Sequence, residues 1–436
     1  MDIYQSGPEP DLQDLLASRP HLTMHALDGL CLEGMPLNAI ADQHGTPTYV
    51  YGAGTIRSRF SALQDAFLAE NLPMHIHYAV KANDHLAILS LLREQGAGAD
   101  VVSLGEFLRA IKAGVKPQNI VYSGVGKATA ELEATLHAGV GQINTESAEE
   151  IEMISAIATK LGVTAKIALR MNPDVDAGTH AKITTGLADN KFGIAASDIP
   201  ALYARAANLP GIKAMGIAMH IGSQILSTEP YRLACGRGAE MIRALRADGH
   251  TVEVMDIGGG LGIGYQDEAA LSPQAFAAMV RQSTQGLNVR LMMEPGRYLV
   301  GPAGVLLASV ILNKQAGKRF VVLDAAMNDL VRPAMYDAWH GVLPLGASVF
   351  HAPTLPADVV GPICESSDIF AKDRRLPHLS SGARVALLDT GAYGAVMSNN
   401  YNTRPRPAVV LVNDGHANLI TPRQTYDDLW EHEVML

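Results

Sequence analysis

Eight segments with the composition of buried β-strands, each followed by a helical segment, constrain the fold of this chain more than any other feature. The predicted strands begin near His75, Gly98, Asn119, Val140, Ala165, Ile212, Val252 and Val289. Between them, stretches such as 85–95, 148–161 and 231–247 carry apolar residues three and four positions apart, which is the spacing of amphipathic helices. Eight strands alternating with helices over roughly 230 residues predict a (β/α)8 (TIM-type) barrel rather than an open sheet.

The rest of the chain predicts a second, mostly β domain. Beyond Gly301, strands separated by turns rich in Pro and Gly are predicted at 305–312, 319–323, 384–388 and 408–412. The opening segment is also β-rich at 21–24 and 48–51, and we expect it to join this second domain. The predicted organisation is an N-terminal tail and β segment joining the β domain (1–46), a barrel (47–300) and a C-terminal β domain (301–436).

Composition and charge exclude several classes of protein. Of the 436 residues, 48% are hydrophobic and 18% charged, a balance that favours a folded core over disorder. The 34 basic and 44 acidic residues give a net charge of −10, which disfavours nucleic acid and anionic membranes as partners. Three distant cysteines indicate neither a disulfide framework nor a thiolate metal site, as expected for a cytoplasmic protein. No signal sequence or membrane span is predicted, since the apolar stretch 298–313 is too short.

A lysine at the end of the first predicted barrel strand is the first candidate functional residue. Lys81 follows the run 77–80, and active sites of such barrels form at the carboxyl ends of the strands. An ammonium there is poorly hydrated, which favours the neutral, nucleophilic amine and a Schiff-base role. A lysine that extends to solvent, or that pairs with Asp100 at the end of the next strand, explains the same position equally well.

Three further strand ends carry groups that complement such a lysine. The seventh ends in the glycines 258–260, whose N–H groups can surround a phosphate, although their spacing is not that of a dinucleotide-binding loop. The eighth ends at Glu294 and Arg297, and the sixth ends at His220. Taken singly, these features are also explained by a tight turn, a structural ion pair and an ordinary hydrogen-bonded histidine. Together with Lys81 they are the groups that pyridoxal 5'-phosphate requires.

Nine motifs, in order, resemble those of the alanine-racemase-like, fold-type III pyridoxal-phosphate enzymes, and among these the amino-acid decarboxylases. The motifs are 78–83, 98–106, 170–173, 191–193, 220–224, 256–262, 294–297, 361–366 and 389–393. The resemblance implies that Lys81 holds the cofactor in a Schiff base, that His220 stacks on its ring and that Glu294 binds the ring nitrogen. It also implies contacts with the cofactor or with bound substrate by Asp100, Ser223, Gly258, Gly259, Gly260, Gly296, Arg297 and Tyr393.

The same resemblance suggests the reaction. It implies decarboxylation of meso-2,6-diaminopimelate to L-lysine and CO2, the last step of lysine biosynthesis, with Cys364 supplying the proton to Cα. The distal end of this substrate carries both a carboxylate and an ammonium. By resemblance, Glu365 binds the distal ammonium, and Arg297 and Arg332 with Tyr336 bind the distal carboxylate. Tyr393 is also a predicted substrate-binding residue. Because the cysteine segment of this family reaches the partner's cofactor, the resemblance also implies a homodimer with shared active sites.

Two alternatives stay open. One is another fold-type III decarboxylase, of the carboxynorspermidine or the ornithine/arginine type; relatives acting on ornithine or arginine usually carry Asp where this chain has Glu365. The other is a non-enzymatic pyridoxal-phosphate-binding protein, whose relatives lack the second domain and the cysteine motif. A racemase of this fold commonly places Arg, rather than Glu294, against the ring nitrogen. Two features depart from the resemblance: Asn190 stands where serine is commoner, and residues 1–20 match no motif.

Overall fold

The computed structural model describes residues 9–177 and 191–436, so Asn190 and the start of the N-terminal tail lie outside the described residues. The chain forms two compact units. The described parts of 57–263 and 269–298 form one, here called the barrel unit. The described residues up to Ile56, with 264–268 and 299–436, form the other, here called the β unit.

The barrel unit contains eight parallel strands that close on themselves. They are Met74–Ala79, Gly98–Val101, Ile120–Tyr122, Gln142–Thr145, Ala165–Asn172, Ile212–Ala218, Val254–Asp256 and Arg290–Met293. Each strand pairs with the next, and the last pairs with the first, with Leu291 opposite Met74. The predicted (β/α)8 barrel is confirmed, and each strand begins within two residues of its predicted position.

Helices alternate with these strands. Their bounds are Ala53–Ala69, Leu86–Glu94, Leu104–Lys112, Thr129–His137, Ala148–Leu161, Ile199–Asn208, Glu229–Ala247 and Pro273–Ser283. Three of them begin at serine caps, because the side chains of Ser103, Ser147 and Ser272 accept hydrogen bonds from backbone N–H groups three residues on. One ends at Gly162, whose φ of 68° suits a residue without a Cβ.

The inside of the barrel is filled by side chains. Val121, Met215, Val254 and Met292, from four different strands, form one buried apolar cluster. A filled interior leaves the ends of the strands, rather than a central pore, as the place where a ligand binds.

The β unit is built mainly on one sheet. Its strands are Thr48–Gly52, Gly304–Ala316, Lys318–Leu323, Val342–Pro344, Leu355–Val360, Ile369–Leu376, Arg384–Leu387, Ala408–Asn413 and His416–Thr421. Thr48–Gly52 falls within the range 47–300 predicted for the barrel, yet it pairs with Gly304–Ala316 and Ala408–Asn413. This strand therefore belongs to the sheet of the β unit.

Shorter elements complete the β unit. A small antiparallel sheet comprises Leu22–His25, Gly29–Leu32 and Met35–Pro36. The helices are Leu12–Ala17, Leu37–His44, Arg332–Tyr336 and Ala347–Phe350, and the short helix Arg297–Val300 follows the last barrel strand. Over residues 9–177 and 191–436, no helix has both the length and the apolar character needed to cross a bilayer.

Two of the three cysteines occupy core positions. Cys31 and Cys235 are buried, whereas Cys364 is exposed. Burial raises the pKa of the Cys235 thiol to about 12, so this group stays protonated. Of the three thiols, that of Cys364 is the one exposed to solvent.

Candidate active site

A cavity of about 410 Å³ lies at the carboxyl ends of the barrel strands. Lys81, His220 and Glu294, which the sequence places at the ends of three different strands, all line it. The other lining residues are Val102, Ser123, Gly124, Val125, Gly126, Asn144, Arg170, Phe192, Ala218 and Met219. Closure of the barrel thus brings the predicted amine, imidazole and carboxyl group to one cavity.

Lys81 lies in the single 3-10 turn Val80–Ala82 that directly follows the first barrel strand. Its Nζ lies 3.2 Å from Oδ2 of Asp100. The Asp100 side chain is 0% exposed and the lysine side chain is 34% exposed. The ion pair that the sequence left open as an alternative is therefore present, but it does not remove the lysine from the cavity. The buried carboxylate instead keeps the amine at the cavity wall.

His220 follows the sixth barrel strand and is held by the glycine turn. Its Nδ1 accepts a hydrogen bond from the backbone N–H of Gly259 at 3.1 Å, so the ring hydrogen is on Nε2. Burial, and then the positive charges of Lys81 and Arg170, lower the pKa of His220 well below its ordinary value. The imidazole is therefore neutral at pH 7, and it presents a flat, uncharged ring to the cavity.

Three buried polar side chains surround Glu294. Its Oε1 accepts hydrogen bonds from Asn144 Nδ2 at 3.1 Å and Ser123 Oγ at 3.4 Å, and Asn144 Nδ2 also lies 3.4 Å from Asp256 Oδ2. Burial, and then the charges of Asp100 and Asp256, raise the pKa of Glu294 well above its ordinary value. A positively charged group placed against Glu294 would favour the ionised carboxylate again.

The glycine turn after the seventh strand has no room for side chains. A Cβ on Gly259 would lie 2.1 Å from the carbonyl oxygen of Glu294, and one on Gly260, where φ is 100°, would lie 2.4 Å from that of Gly222. The turn is closed by Asp256, whose Oδ1 accepts from the N–H of Gly258 at 3.0 Å. Bare backbone of this kind allows close approach of an anion such as phosphate.

Two more predicted residues of the barrel unit contact each other. Arg297 Nη2 donates to Ser223 Oγ at 3.1 Å. Gly296 is equally constrained, because a Cβ there would lie 2.9 Å from the Cβ of Ala82, next to Lys81. The loop 294–297 therefore packs directly against the turn that carries the lysine.

Sequence reasoning did not assign several residues of this cavity. Ser123 follows the third strand and Asn144 belongs to the fourth, but neither side chain is ionisable, so the rule that selected Lys81, an ionisable group at a strand end, does not select them. Arg170 belongs to a recognised motif without an assigned role. It forms an ion pair with Glu146 at 2.7 Å, and its guanidinium carbon lies 5.0 Å from the ring centre of Phe192.

Five predicted site residues belong to the β unit: Arg332, Tyr336, Cys364, Glu365 and Tyr393. Arg332 is buried, and its Nη1 lies 2.8 Å from Nε2 of His340. Cys364 and Glu365 are exposed, and Oε1 of Glu365 accepts a hydrogen bond from Tyr401 at 2.5 Å. The roles of these five residues stay predictions.

The residues of the barrel cavity fit pyridoxal phosphate. Oδ2 of Asp100 pairs with Nζ of Lys81, and Oδ1 is buried with no hydrogen-bond partner in the described part of the chain, so Oδ1 can still accept a hydrogen bond from a bound group. The glycine turn suits a phosphate, and Glu294 suits a ring nitrogen. A closed parallel barrel with this set of groups, in a chain that also carries a β unit, defines the class of barrel-type pyridoxal-dependent enzymes.

Comparison with known proteins narrows this class. Residues 53–301 match the family model described as "Pyridoxal-dependent decarboxylase, pyridoxal binding domain". The chain is 47% identical to a diaminopimelate decarboxylase of Zymomonas mobilis over 411 residues, which cover 93% of this chain and 96% of that one. The chain belongs to the diaminopimelate decarboxylase family, and it is a pyridoxal-phosphate-dependent carboxy-lyase.

Solved structures agree with this assignment. The diaminopimelate decarboxylase of Helicobacter pylori, complexed with L-lysine, has a TM-score of 0.88 and 39% identity, over 91% of this chain and 99% of that chain. The enzyme of M. jannaschii, also in complex with L-lysine, has a TM-score of 0.91 and 33% identity, over 96% and 99%. The predicted family and cofactor are confirmed.

Proposed function

We propose that this protein decarboxylates meso-2,6-diaminopimelate to L-lysine and CO2, the last step of lysine biosynthesis. The observation that carries the proposal is the convergence of Lys81, His220 and Glu294 on one barrel cavity. The relatives named for this substrate match nearly the whole chain, including the β unit, where four of the five predicted substrate-binding residues lie.

The cavity residues have different roles toward the cofactor. When bound, pyridoxal phosphate supplies the electron sink for the electron pair that departing CO2 leaves at Cα. Lys81 supplies the amine for covalent attachment, and Asp100 keeps this amine at the cavity wall. Glu294 would share a proton with the ring nitrogen of the cofactor, and the neutral ring of His220 would pack against the flat face of the cofactor ring. Because these groups are positioned beforehand, little reorganisation is needed during the reaction.

The substrate's distal end requires partners of both charges. Arg297 and Arg332, with Tyr336, bind the distal carboxylate, since a guanidinium can donate two parallel charge-assisted hydrogen bonds to it. Glu365 binds the distal ammonium; its exposed carboxylate already accepts a hydrogen bond from Tyr401. The exposed thiol of Cys364 delivers the proton to Cα. Ornithine and arginine lack the distal carboxylate, so this set of residues favours diaminopimelate.

A homodimer with shared active sites is part of the proposal. Cys364 and Glu365, both assigned to the reaction, are exposed in the single chain, which suits residues that complete the site of a partner. We also place the enzyme in the cytoplasm, because its three cysteines are all free.

The substrate proposal is tested by incubating the purified protein and pyridoxal phosphate with a panel of amino acids while CO2 is recorded. We expect release from meso-diaminopimelate with L-lysine as the product. Faster release from ornithine, arginine or carboxynorspermidine would support the other decarboxylase. Cofactor binding without any CO2 release would support the non-enzymatic alternative.

Shared active sites are tested by co-expressing a Lys81→Ala chain with a Cys364→Ala chain. If each site uses Lys81 of one chain and Cys364 of the other, a heterodimer has one intact site. Random pairing then restores about a quarter of the wild-type activity. Activity no higher than that of the single variants would contradict the proposal.

A further inference from the structure

The guanidinium of Arg332 is held inside the β unit by two aromatic neighbours. Its Nη1 lies 2.8 Å from Nε2 of His340, and its central carbon lies 4.8 Å from the ring centre of Tyr265. The rings of His340 and Tyr265 meet edge to face, with their centres 5.5 Å apart. Arg332 is 1% exposed and His340 is 0% exposed. Packing and hydrogen bonding, rather than solvent, therefore set the direction of this guanidinium.

The neighbours of His340 define which of its nitrogens carries the hydrogen. Nδ1 lies 2.7 Å from the carbonyl oxygen of Leu388, which can only accept, so Nδ1 is the donor. Nε2 faces a guanidinium, which can only donate, so Nε2 is the acceptor. The imidazole is consequently neutral, with a lone pair directed at Arg332.

The backbone of His340 is fixed as well. Its carbonyl oxygen accepts a hydrogen bond from Nη1 of Arg374 at 2.7 Å, and Arg374 is itself buried. The imidazole is thus anchored at the backbone and at Nδ1, so the position of Nε2 is well determined. A guanidinium with restricted rotation loses less entropy when it binds a carboxylate.

We propose that His340 is a positioning residue: by accepting a hydrogen bond from Arg332, it aims this guanidinium at the distal carboxylate of the substrate. The inference rests on the carboxylate-binding role proposed above for Arg332. It assigns part of the enzyme's selectivity to a histidine that bonds the arginine rather than the substrate. Its effect is therefore limited to ligands that carry a distal carboxylate.

Two conservative variants separate the two hydrogen bonds of the ring. In His340→Asn the amide group lies where Nδ1 was, so the bond to Leu388 is kept and the acceptor for Arg332 is lost. In His340→Gln the longer side chain places its amide oxygen near the former Nε2, so the acceptor for Arg332 is kept. If His340 has a purely structural role, both variants should weaken ligand binding to a similar extent, or His340→Asn should weaken it less.

The measurements compare ligands with and without the distal carboxylate. For each holoenzyme we measure KM and kcat for diaminopimelate and the inhibition constants of L-lysine, which keeps this carboxylate, and cadaverine, which lacks it. Arg332→Gln is the reference variant. Thr48→Val is the matched control, because it removes the hydrogen bonds of a buried side chain in the same unit: the Thr48 hydroxyl donates to the carbonyl of Gly45 and accepts from Arg423.

We expect His340→Asn to raise KM and the inhibition constant of L-lysine about tenfold, with kcat and cadaverine inhibition changed less than about twofold. His340→Gln and Thr48→Val should stay close to wild type. Suppose that Arg332→Gln weakens the binding of L-lysine but not of cadaverine. The inference is then overturned if His340→Asn weakens the binding of both ligands equally, or if the two histidine variants have equal effects. If Arg332→Gln also weakens both ligands equally, the proposed role of Arg332 fails, and this inference fails with it.

Discussion

Nζ of Lys81, in the turn after the first barrel strand, lies 3.2 Å from Oδ2 of Asp100, on the second strand. The register explains the contact: Ala79 pairs with Asp100, and the chain then turns so that Lys81 reaches back over the end of the second strand. Because Asp100 is fully buried, its carboxylate is poorly hydrated and is stabilised by a cationic neighbour. The reactive amine is thus held in place before any cofactor binds.

Lys81→Arg keeps a positive charge beside Asp100 but removes the amine that bonds the cofactor. We expect the variant to fold and to lose the visible absorbance of covalently attached pyridoxal phosphate. Reduction with borohydride, followed by mass spectrometry of the digested protein, should find the cofactor on the peptide containing Lys81 in the wild type and on no peptide in the variant. Cofactor attached to another lysine in both proteins would remove Lys81 from its assigned role.

Glu106 predicts a pH dependence of stability. Burial raises the pKa of Glu106 from 4.5 to about 7. The hydrogen bond from the N–H of Val102 acts in the opposite direction, and the negative charge of Asp100 adds to the increase. The folded state therefore retains a proton that the unfolded state releases, so this group lowers stability progressively as the pH rises from 4.5 to 7. Glu106→Gln should remove this effect.

Urea denaturation of wild type and Glu106→Gln across this pH range measures the difference. The free energy of unfolding of the variant, relative to wild type, should rise between pH 4.5 and 7 and be constant above it. A difference that does not change with pH would show that Glu106 titrates normally.

Gly259→Ala tests the glycine turn. The added Cβ would lie 2.1 Å from the backbone oxygen of Glu294, so the turn must shift, and the N–H that holds His220 must shift with it. We expect a loss of about 1–3 kcal/mol in stability, together with weaker binding of pyridoxal phosphate. Cofactor titration and thermal unfolding measure the two effects.

Gly236→Ala is the matched control in the same unit. A Cβ at Gly236 meets no atom within 4 Å, and this residue lies in the helix Glu229–Ala247. The substitution should stabilise the protein by about 0.5–1 kcal/mol. Cofactor affinity equal in Gly259→Ala and Gly236→Ala would mean that the turn does not contribute to cofactor binding.

Cys364→Ala removes the proposed proton donor. Turnover should fall about 10²-fold, as is typical for the loss of a general acid, while cofactor binding is retained. Cys235→Ala serves for comparison, because this thiol is buried in a helix of the barrel unit and its pKa is raised to about 12. Near-normal turnover in Cys364→Ala would exclude the thiol from the reaction.

Much of the fold follows from local patterns in the chain. The start of each barrel strand and the helix Ala148–Leu161 were predictable because each depends on the hydrophobic periodicity of its own segment. The strand Thr48–Gly52 shows the limit of such reasoning. Its composition indicates a strand, but only its pairing with Gly304–Ala316 and Ala408–Asn413 assigns it to the β unit.

The site was predictable to the extent that it lies at strand ends. Lys81, His220 and Glu294 could be selected because ionisable groups are unusual next to buried strands. Asn144 and Ser123 were missed, because single polar residues at strand ends are common and their value here depends on contact with Glu294. Such contacts join residues far apart in the chain, so no local pattern reveals them.

The amino-acid sequence alone determined the barrel, the family and the cofactor, because periodicity and ordered motifs are properties of the linear chain. Tertiary structure decided three further points. These are the pairing of Lys81 with Asp100, the groups that share the cavity with Glu294, and the contact between His340 and Arg332. The physical reason is that burial and charge–charge interactions vary steeply with distance. Distances between residues on different strands exist only once the chain has folded.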